Sequence, residues 1–264
     1  MVVVPKKSLG QHWLTDKQII SSIVAEANLT SRDVVLEIGP GLGTMTRELL
    51  NNAHKVVAVE YDSELARKLP SQYPGKNLDV LNQDILTYDL NQLPQGYKVV
   101  ANIPYYITNK IIHFLLNSEN KPSRIVLLIQ KEVAERLVAG PGDMSILAIS
   151  AQNYAEISLG PVVERTFFTP APKVDSQVVI LNLKNEPLIE KDKQKEFFKV
   201  VKAGFSSKRK KLRSSLSAGL HISKKDTEEL LRQSSIDANL RAESLSIADW
   251  KKILEKFSNL QPKA

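Results

Sequence analysis

Four short stretches carry residue types whose spacing suits chemistry. In Leu36-Glu37-Ile38-Gly39-Pro40-Gly41-Leu42-Gly43 an apolar run meets a helical pattern, and glycines there let the backbone approach a ligand closely. The spacing is Gly-x-Gly-x-Gly, unlike the Gly-x-Gly-x-x-Gly of a dinucleotide site, and Glu37 stands two residues before the first glycine. A carboxylate at that place repels a pyrophosphate and favours a cationic ligand. S-adenosylmethionine, with its sulfonium and amino group, therefore fits better than NAD. Glu60 closes the next apolar run, 21 residues after Gly39, where an acid accepts hydrogen bonds from ribose hydroxyls. Asp84 closes the third, where a carboxylate can accept from the exocyclic amine of a cofactor adenine. A tight strand–helix turn is the plain alternative for the glycines, and the two further acids weaken it.

The fourth stretch, Asn102-Ile103-Pro104-Tyr105, follows another apolar run. One reading is a turn in which Pro fixes φ and Asn tolerates tight geometry. The other is a pocket for a planar amine. An adenine amine is a poor nucleophile because its lone pair is delocalised into the ring. The Asn102 side-chain oxygen and the Ile103 carbonyl can orient its hydrogens and turn the lone pair toward a methyl group. Pro104 leaves no amide donor in that cradle, and Tyr105 can stack on the base. With a good leaving group already present, positioning supplies most of the chemistry.

These residues need a frame, and the pattern supplies one. Apolar runs at Val34–Ile38, Val56–Val59, Leu78–Leu81, Val99–Ala101 and Ile125–Ile129 alternate with helical segments at Thr44–Asn52, Ser63–Leu69 and Thr108–Leu116. This predicts an α/β chain with a Rossmann-like parallel sheet buried on both faces. Two more strands are expected at Ile157–Val163 and Ser176–Leu183, joined by a proline-rich loop around Phe167-Phe168-Thr169-Pro170-Ala171-Pro172. Beyond about Asn185 the chain reads as helical and charged, with Pro187 and Glu190–Lys193 as a linker. The expected domains are a methyltransferase domain over 1–185 and a small all-helical domain over 186–264.

Composition narrows the classes. The 264 residues contain no cysteine, which excludes disulfides, thiolate catalysis and cysteine metal sites, and four histidines leave little for a histidine one. No metal is expected. The apolar run in Met1–Lys7 is far too short for a signal peptide, and the longest uninterrupted apolar stretch, Ile125–Ile129, is a strand's worth, so no membrane association and a cytoplasmic location are expected. A net charge of +7 suits a nucleic-acid partner. Between Phe197 and Lys225 lie nine Lys or Arg and no acid, among them Lys208, Arg209, Lys210, Lys211 and Arg213. Phe205, Ser206, Ser207, Ser214 and Ser215 are interleaved, which suits RNA backbone contacts, although a solvated face is the alternative. Arg165, Lys173, Lys6 and Lys7 are further candidates for that surface.

The motifs together resemble the ribosomal RNA adenine dimethyltransferases, most closely the KsgA type that acts on the small subunit. Lys7–Leu14 resembles that family's Gly-Gln-Asn-Phe-Leu motif, and the Glu37–Gly43 loop, Glu60, Asp84 and Asn102–Tyr105 follow in order. Phe168–Ser176 and Gly204–Arg213 extend the likeness over almost the whole chain. The resemblance implies cofactor contacts from His12, Leu14, Gly39, Glu60, Asp84 and Asn102. It also implies that Asn102 and Tyr105 hold a flipped adenine and that Phe168 closes the ring's other face, because a stacked base cannot reach such a pocket. At position 12 the commonest family residue is Asn, and here it is His. The expected activity is N6-dimethylation of two adjacent adenines near the 3′ end of small-subunit rRNA, by a monomer. The alternatives are an Erm-type enzyme of large-subunit rRNA and a non-catalytic RNA-binding assembly factor on the same fold.

Overall fold

The computed structural model describes residues 5–6 and 9–260, so Met1–Val4, Lys7, Ser8 and Gln261–Ala264 lie outside the described residues. In chain order the elements begin with β1 (Trp13–Leu14), α1 (Lys17–Ala25), β2 (Val34–Ile38), α2 (Thr44–Asn52), β3 (Lys55–Glu60) and α3 (Ser63–Lys68). There follow β4 (Leu78–Asn82), β5 (Lys98–Asn102), α4 (Thr108–Asn117), β6 (Arg124–Gln130), α5 (Lys131–Leu137) and α6 (Ile146–Tyr154). The remainder is β7 (Ala155–Val163), β8 (Phe168–Thr169), β9 (Ser176–Leu183), α7 (Gln194–Phe205), α8 (Leu212–Leu220), α9 (Lys224–Gln233) and α10 (Ile247–Leu260).

Seven strands form one sheet in the order β4-β3-β2-β5-β6-β9-β7. Strands β2 to β6 are parallel, and β9 runs antiparallel to both β6 and β7. The chain travels outward from β2 to β4 and then returns to place β5 on the other side of β2. This reversal opens a crevice at the carboxyl ends of β2 and β5, where α/β sheets take their ligands. The central runs are continuous hydrophobics because helices cover both faces: Val35, Leu36, Val99, Val100 and Ile125–Ile129 are all fully buried. Asp16 starts α1 by accepting the Gln18 and Ile19 N–H groups, each at 3.0 Å. Gly43 starts α2 with φ +82°. A side chain there would meet Leu69 Cδ1 at 2.6 Å, so both backbone conformation and space demand glycine.

A separate two-stranded ladder pairs β1 with β8, Trp13 opposite Thr169 and Leu14 opposite Phe168. It ties the residues just before α1 to the proline-rich loop.

The chain divides into two compact units, Met1–Glu135 with Ala155–Lys184 and Arg136–Tyr154 with Asn185–Ala264. The crossing at Lys184 to Asn185 lies beside the expected boundary. The segment Arg136–Tyr154, read from sequence as part of the first domain, groups instead with the helices. The reason is packing: Met144, Ala148 and Ile149 share a buried cluster with Phe197, Leu216, Leu231 and Trp250. Among the described residues no helix is long and apolar enough to cross a membrane.

Candidate active site at the carboxyl edge of the sheet

A cavity of about 430 Å³ opens where the strand order reverses. Every strand that ends there contributes one polar side chain. Glu37, the penultimate residue of β2, is 1% exposed and accepts a hydrogen bond from Thr46 Oγ1 at 2.6 Å. Burial pushes its carboxyl up to about 8. Glu60 ends β3, and its Oε2 accepts the Gly41 N–H at 3.0 Å while Oε1 accepts the Asp62 N–H at 2.8 Å. Burial raises this carboxyl above its ordinary value, against the pull of those two donors. Each Glu60 oxygen keeps a second acceptor site, as a pair of ribose hydroxyls requires. Asp84, just past β4, lines the cavity and caps the following turn by accepting the Leu86 N–H at 3.0 Å.

Asn102 closes β5. Its Nδ2 donates to the His12 carbonyl at 3.2 Å. A carbonyl can only accept, so this bond fixes which end of the amide is which and leaves Oδ1 as the free acceptor. The Tyr105 hydroxyl shares a 2.7 Å hydrogen bond with Ser176 Oγ, and burial raises its ionisation above the usual phenol range. This bond joins the Asn-Ile-Pro-Tyr turn to the Asp175-Ser176 end of the proline-rich motif. His12 lies beside Tyr105 with ring centroids 5.9 Å apart and planes 19° apart, and its Nδ1 is 2.6 Å from the Pro170 carbonyl oxygen. Leu14, 4% exposed, lines the apolar part of the wall.

The residues present fit S-adenosylmethionine. Trp13 Nε1 is buried without a hydrogen-bond partner in the cavity lining, and nothing crowds Gly39, whose φ is +66°. Carboxyl groups at Glu37, Glu60 and Asp84 line the cavity, a set that suits a cation and hydroxyls and not a pyrophosphate.

The structure thus brings His12, Leu14, Gly39, Glu60, Asp84, Asn102 and Tyr105 to one cavity. Phe168 is not among its lining residues. It is 4% exposed and packs with Leu14, Ile20 and Val178, because its strand register turns it into the core. The exposed ring of that pair is Phe167, at 44%. Sequence reading missed Tyr61 and Tyr106, which line the cavity mouth and are 64% and 63% exposed. Their signal was position, directly after Glu60 and Tyr105.

In the helical unit Lys208, Arg209 and Lys210 are exposed in the turn between α7 and α8. Lys211 donates to Asn239 Oδ1 at 2.9 Å, and Arg213 pairs with Glu228 at 3.2 Å. Phe205 packs on Trp250, 5.8 Å between centroids, and Ser215 is buried with its hydroxyl on the Leu212 carbonyl. Those two are therefore structural and leave the surface to the cations. Lys6 is tied to Asp62 at 2.8 Å, and Arg165 donates to the Lys173 carbonyl.

Strand order, acid-ended strands and the Asn-Ile-Pro-Tyr turn define a Rossmann-like methyltransferase. The chain belongs to the ribosomal RNA adenine dimethylase family, which it matches over residues 4–259. Ribosomal RNA small subunit methyltransferase A of Dehalococcoides mccartyi is 39% identical over 257 residues, covering 96% of this chain and 88% of that protein. The protein of the same name from Desulfitobacterium hafniense is 42% identical over 253 residues, covering 94% and 91%. Among solved structures, a dimethyladenosine transferase from Plasmodium falciparum matches with a TM-score of 0.82 at 28% identity, over 94% of this chain and 98% of that one. The 23S rRNA methyltransferase ErmE matches at 0.77 and 28%, over 93% and 99%.

The buried carboxyl of Glu37 makes a prediction here. At pH 7 a group titrating near 8 is roughly nine-tenths protonated. A bound cation favours the carboxylate, so S-adenosylmethionine should release most of one proton on binding. Calorimetry in buffers of different ionisation enthalpy measures this, and Glu37→Gln should abolish the release. Stability has the opposite sign from an ordinary carboxylate. The folded value lies above the reference 4.5, so the native state holds the extra proton and loses stability as pH rises from there through about 8. Glu37→Gln should flatten that slope in denaturant melts.

Proposed function

We propose that the protein uses S-adenosylmethionine to dimethylate N6 of two adjacent adenines in the loop of the 3′-terminal hairpin of small-subunit rRNA. It acts in the cytoplasm, as a monomer, on the subunit or an assembly intermediate. The observation that carries the chemistry is the Asn102 amide, held by its Nδ2 so that Oδ1 is left as an acceptor in a cavity that Tyr105 also lines. The small-subunit substrate is supported by the similarity to relatives of about 40% identity that carry that substrate in their names.

S-adenosylmethionine, when bound, supplies a methyl group on a positively charged sulfur. Glu60 and Asp84 hold the nucleoside part, Glu37 balances the charge, and Gly39 lets the backbone come close. Asn102 Oδ1 and the Ile103 carbonyl accept the two amine hydrogens, which turns the nitrogen lone pair out of the ring plane. Tyr105, anchored by Ser176, supports the base. Extrusion from a loop costs less than the few kcal/mol of flipping from a duplex. Lys208, Arg209 and Lys210, whose side chains have no internal hydrogen bond or ion pair among the described residues, contact phosphates, with Lys211 and Arg213 beside them.

Undermethylated small subunits and large-subunit rRNA offered in parallel test the substrate, with products mapped by primer-extension stops and nucleoside mass spectrometry. Dimethyladenosine at two neighbouring small-subunit positions is expected. Product confined to large-subunit RNA would overturn the reading in favour of an Erm-type enzyme. No product from either, with S-adenosylmethionine still bound, would favour an RNA-binding assembly factor.

The basic turn has its own test. Changing Lys208, Arg209 and Lys210 together to Ala should weaken RNA binding and lower the log–log salt slope by about 2, since each phosphate contact contributes roughly 0.7 to 0.9. Cofactor affinity should not change. An unaltered slope would make the run a solvated face.

A further inference from the structure

We propose that Tyr106 and Lys110 form a subsite at the cavity mouth that holds the nucleotide next to the target adenine. This rests on the RNA-methylation reading above and adds a binding site to it. Tyr106 and Lys110 line the same cavity as Asn102 and Tyr105. Tyr106 belongs to the single turn Tyr105–Ile107 after β5, and Lys110 follows four residues on, in the first turn of α4. Both side chains are exposed, Tyr106 at 63%.

The Tyr106 ring is backed from one side and otherwise open. A Cβ on Gly10 would lie 3.3 Å from both Cδ1 and Cε1 of that ring. Gly10 also has φ +61°, so its backbone conformation and this close approach favour glycine together. Among the described residues no aromatic ring stacks on Tyr106. An aromatic surface seated on backbone and left in water is what a nucleobase stacks on.

Lys110 supplies the charge. Among the described residues its side chain makes no hydrogen bond or ion pair. Helix α4 packs against the turn Ile85–Thr87 that Asp84 caps, which sets this cation at the Asp84 end of the cavity. Burial raises the Tyr106 phenol above its ordinary value, and the nearby Asp84 and Tyr61 add to the rise. S-adenosylmethionine carries no phosphate, and its one carboxylate is on the amino-acid part, not the nucleoside part that Asp84 holds. RNA is the ligand that brings phosphates to this end.

Consecutive tyrosines then serve consecutive bases. Tyr105, half-buried and tied to Ser176, belongs with the target adenine, and the exposed Tyr106 belongs with its neighbour. Stacking reads the face of a base and not its amine hydrogens. Tyr106 therefore accepts a neighbouring adenine both before and after that base has been methylated, as a substrate of two adjacent adenines requires.

Steady-state methylation of undermethylated small subunits tests this, alongside calorimetry of S-adenosylmethionine binding. Tyr106→Leu keeps an apolar side chain against Gly10 but loses the aromatic face. It should lower kcat/KM for the subunits roughly ten- to a hundredfold with cofactor affinity unchanged, whereas Tyr106→Phe should keep the wild-type value. Lys110→Gln, at an exposed position, should lower the log–log salt slope of subunit binding by about 0.7 to 0.9, and Lys110→Arg should not. A Tyr106→Leu enzyme with wild-type kcat/KM would overturn the subsite and leave the methyl-transfer reading standing. Weaker cofactor binding in that variant would overturn it too, since the ring would then cover the cofactor's adenine. An unchanged salt slope in Lys110→Gln would do the same. A wild-type protein that methylates no adenine would overturn both readings.

Discussion

Asn102→Ala is expected to lower methyl transfer to RNA by on the order of a hundredfold or more, with little change in RNA affinity. On the proposed mechanism the side chain does two things at once: its Nδ2 anchors the His12 carbonyl, and its Oδ1 is left as the acceptor for an amine that is unreactive until its lone pair leaves conjugation. Alanine removes both. Asn102→Asp separates them: the carboxylate is an acceptor but cannot donate to the His12 carbonyl, so two oxygens oppose one another at 3.2 Å unless the side chain moves. That variant should also be nearly inactive. Transfer of tritium from labelled cofactor to RNA reports both, and near-normal turnover of Asn102→Ala would end the assignment.

Gly219→Val should destabilise the helical unit by about 3 kcal/mol, at the upper end of overpacking costs. A Cβ on Gly219 would come within 2.6 Å of both Cα and Cβ of Ala203 and 3.0 Å of its carbonyl oxygen. These are mostly backbone atoms of α7, so relief requires α7 and α8 to separate and open the cluster around Phe197 and Leu216. The helix-propensity gain over glycine is well under 1 kcal/mol and cannot compensate. Ala218→Val, one residue earlier on an exposed position, is the control and should cost a few tenths. Urea melts followed by circular dichroism give the comparison; equal midpoints for the two variants would show that the helices yield.

Much of this was legible in the sequence. The central strands announce themselves as continuous β-branched runs because helices cover both faces, and each observed strand exceeds its run by at most two residues at either end. The glycine loop, Glu60, Asp84 and Asn102 were legible because the carboxyl ends of parallel strands converge by topology. Other features depend on three-dimensional register. Phe167 and Phe168 are identical in type, and only the pairing of β8 with β1 turns the second ring inward. Phe205 and Ser215 looked like members of a basic surface, yet helix phase carries them toward Trp250 and the Leu212 carbonyl. The segment Arg136–Tyr154 has no local signal of its allegiance, since that is decided by residues such as Phe197 and Trp250 far along the chain. Glu37 read as a charge; full burial beside Thr46 makes it largely neutral at pH 7.

The placement of β9 and β8 has a consequence for synthesis. Strand β7 is made before β9 but touches β6 only through it, so the far side of the sheet stays open until Ser176–Leu183 leaves the ribosome. The same late stretch brings Ser176 to Tyr105, and shortly before it Pro170 reaches His12. A nascent chain therefore carries every acid of the methyl-donor pocket long before it can hold the histidine and tyrosine in place. This side of the cavity closes late, and by pairings between residues 71 and 158 positions apart. Such distant closure is the slow part of folding, so the site is complete only when most of the chain has left the ribosome.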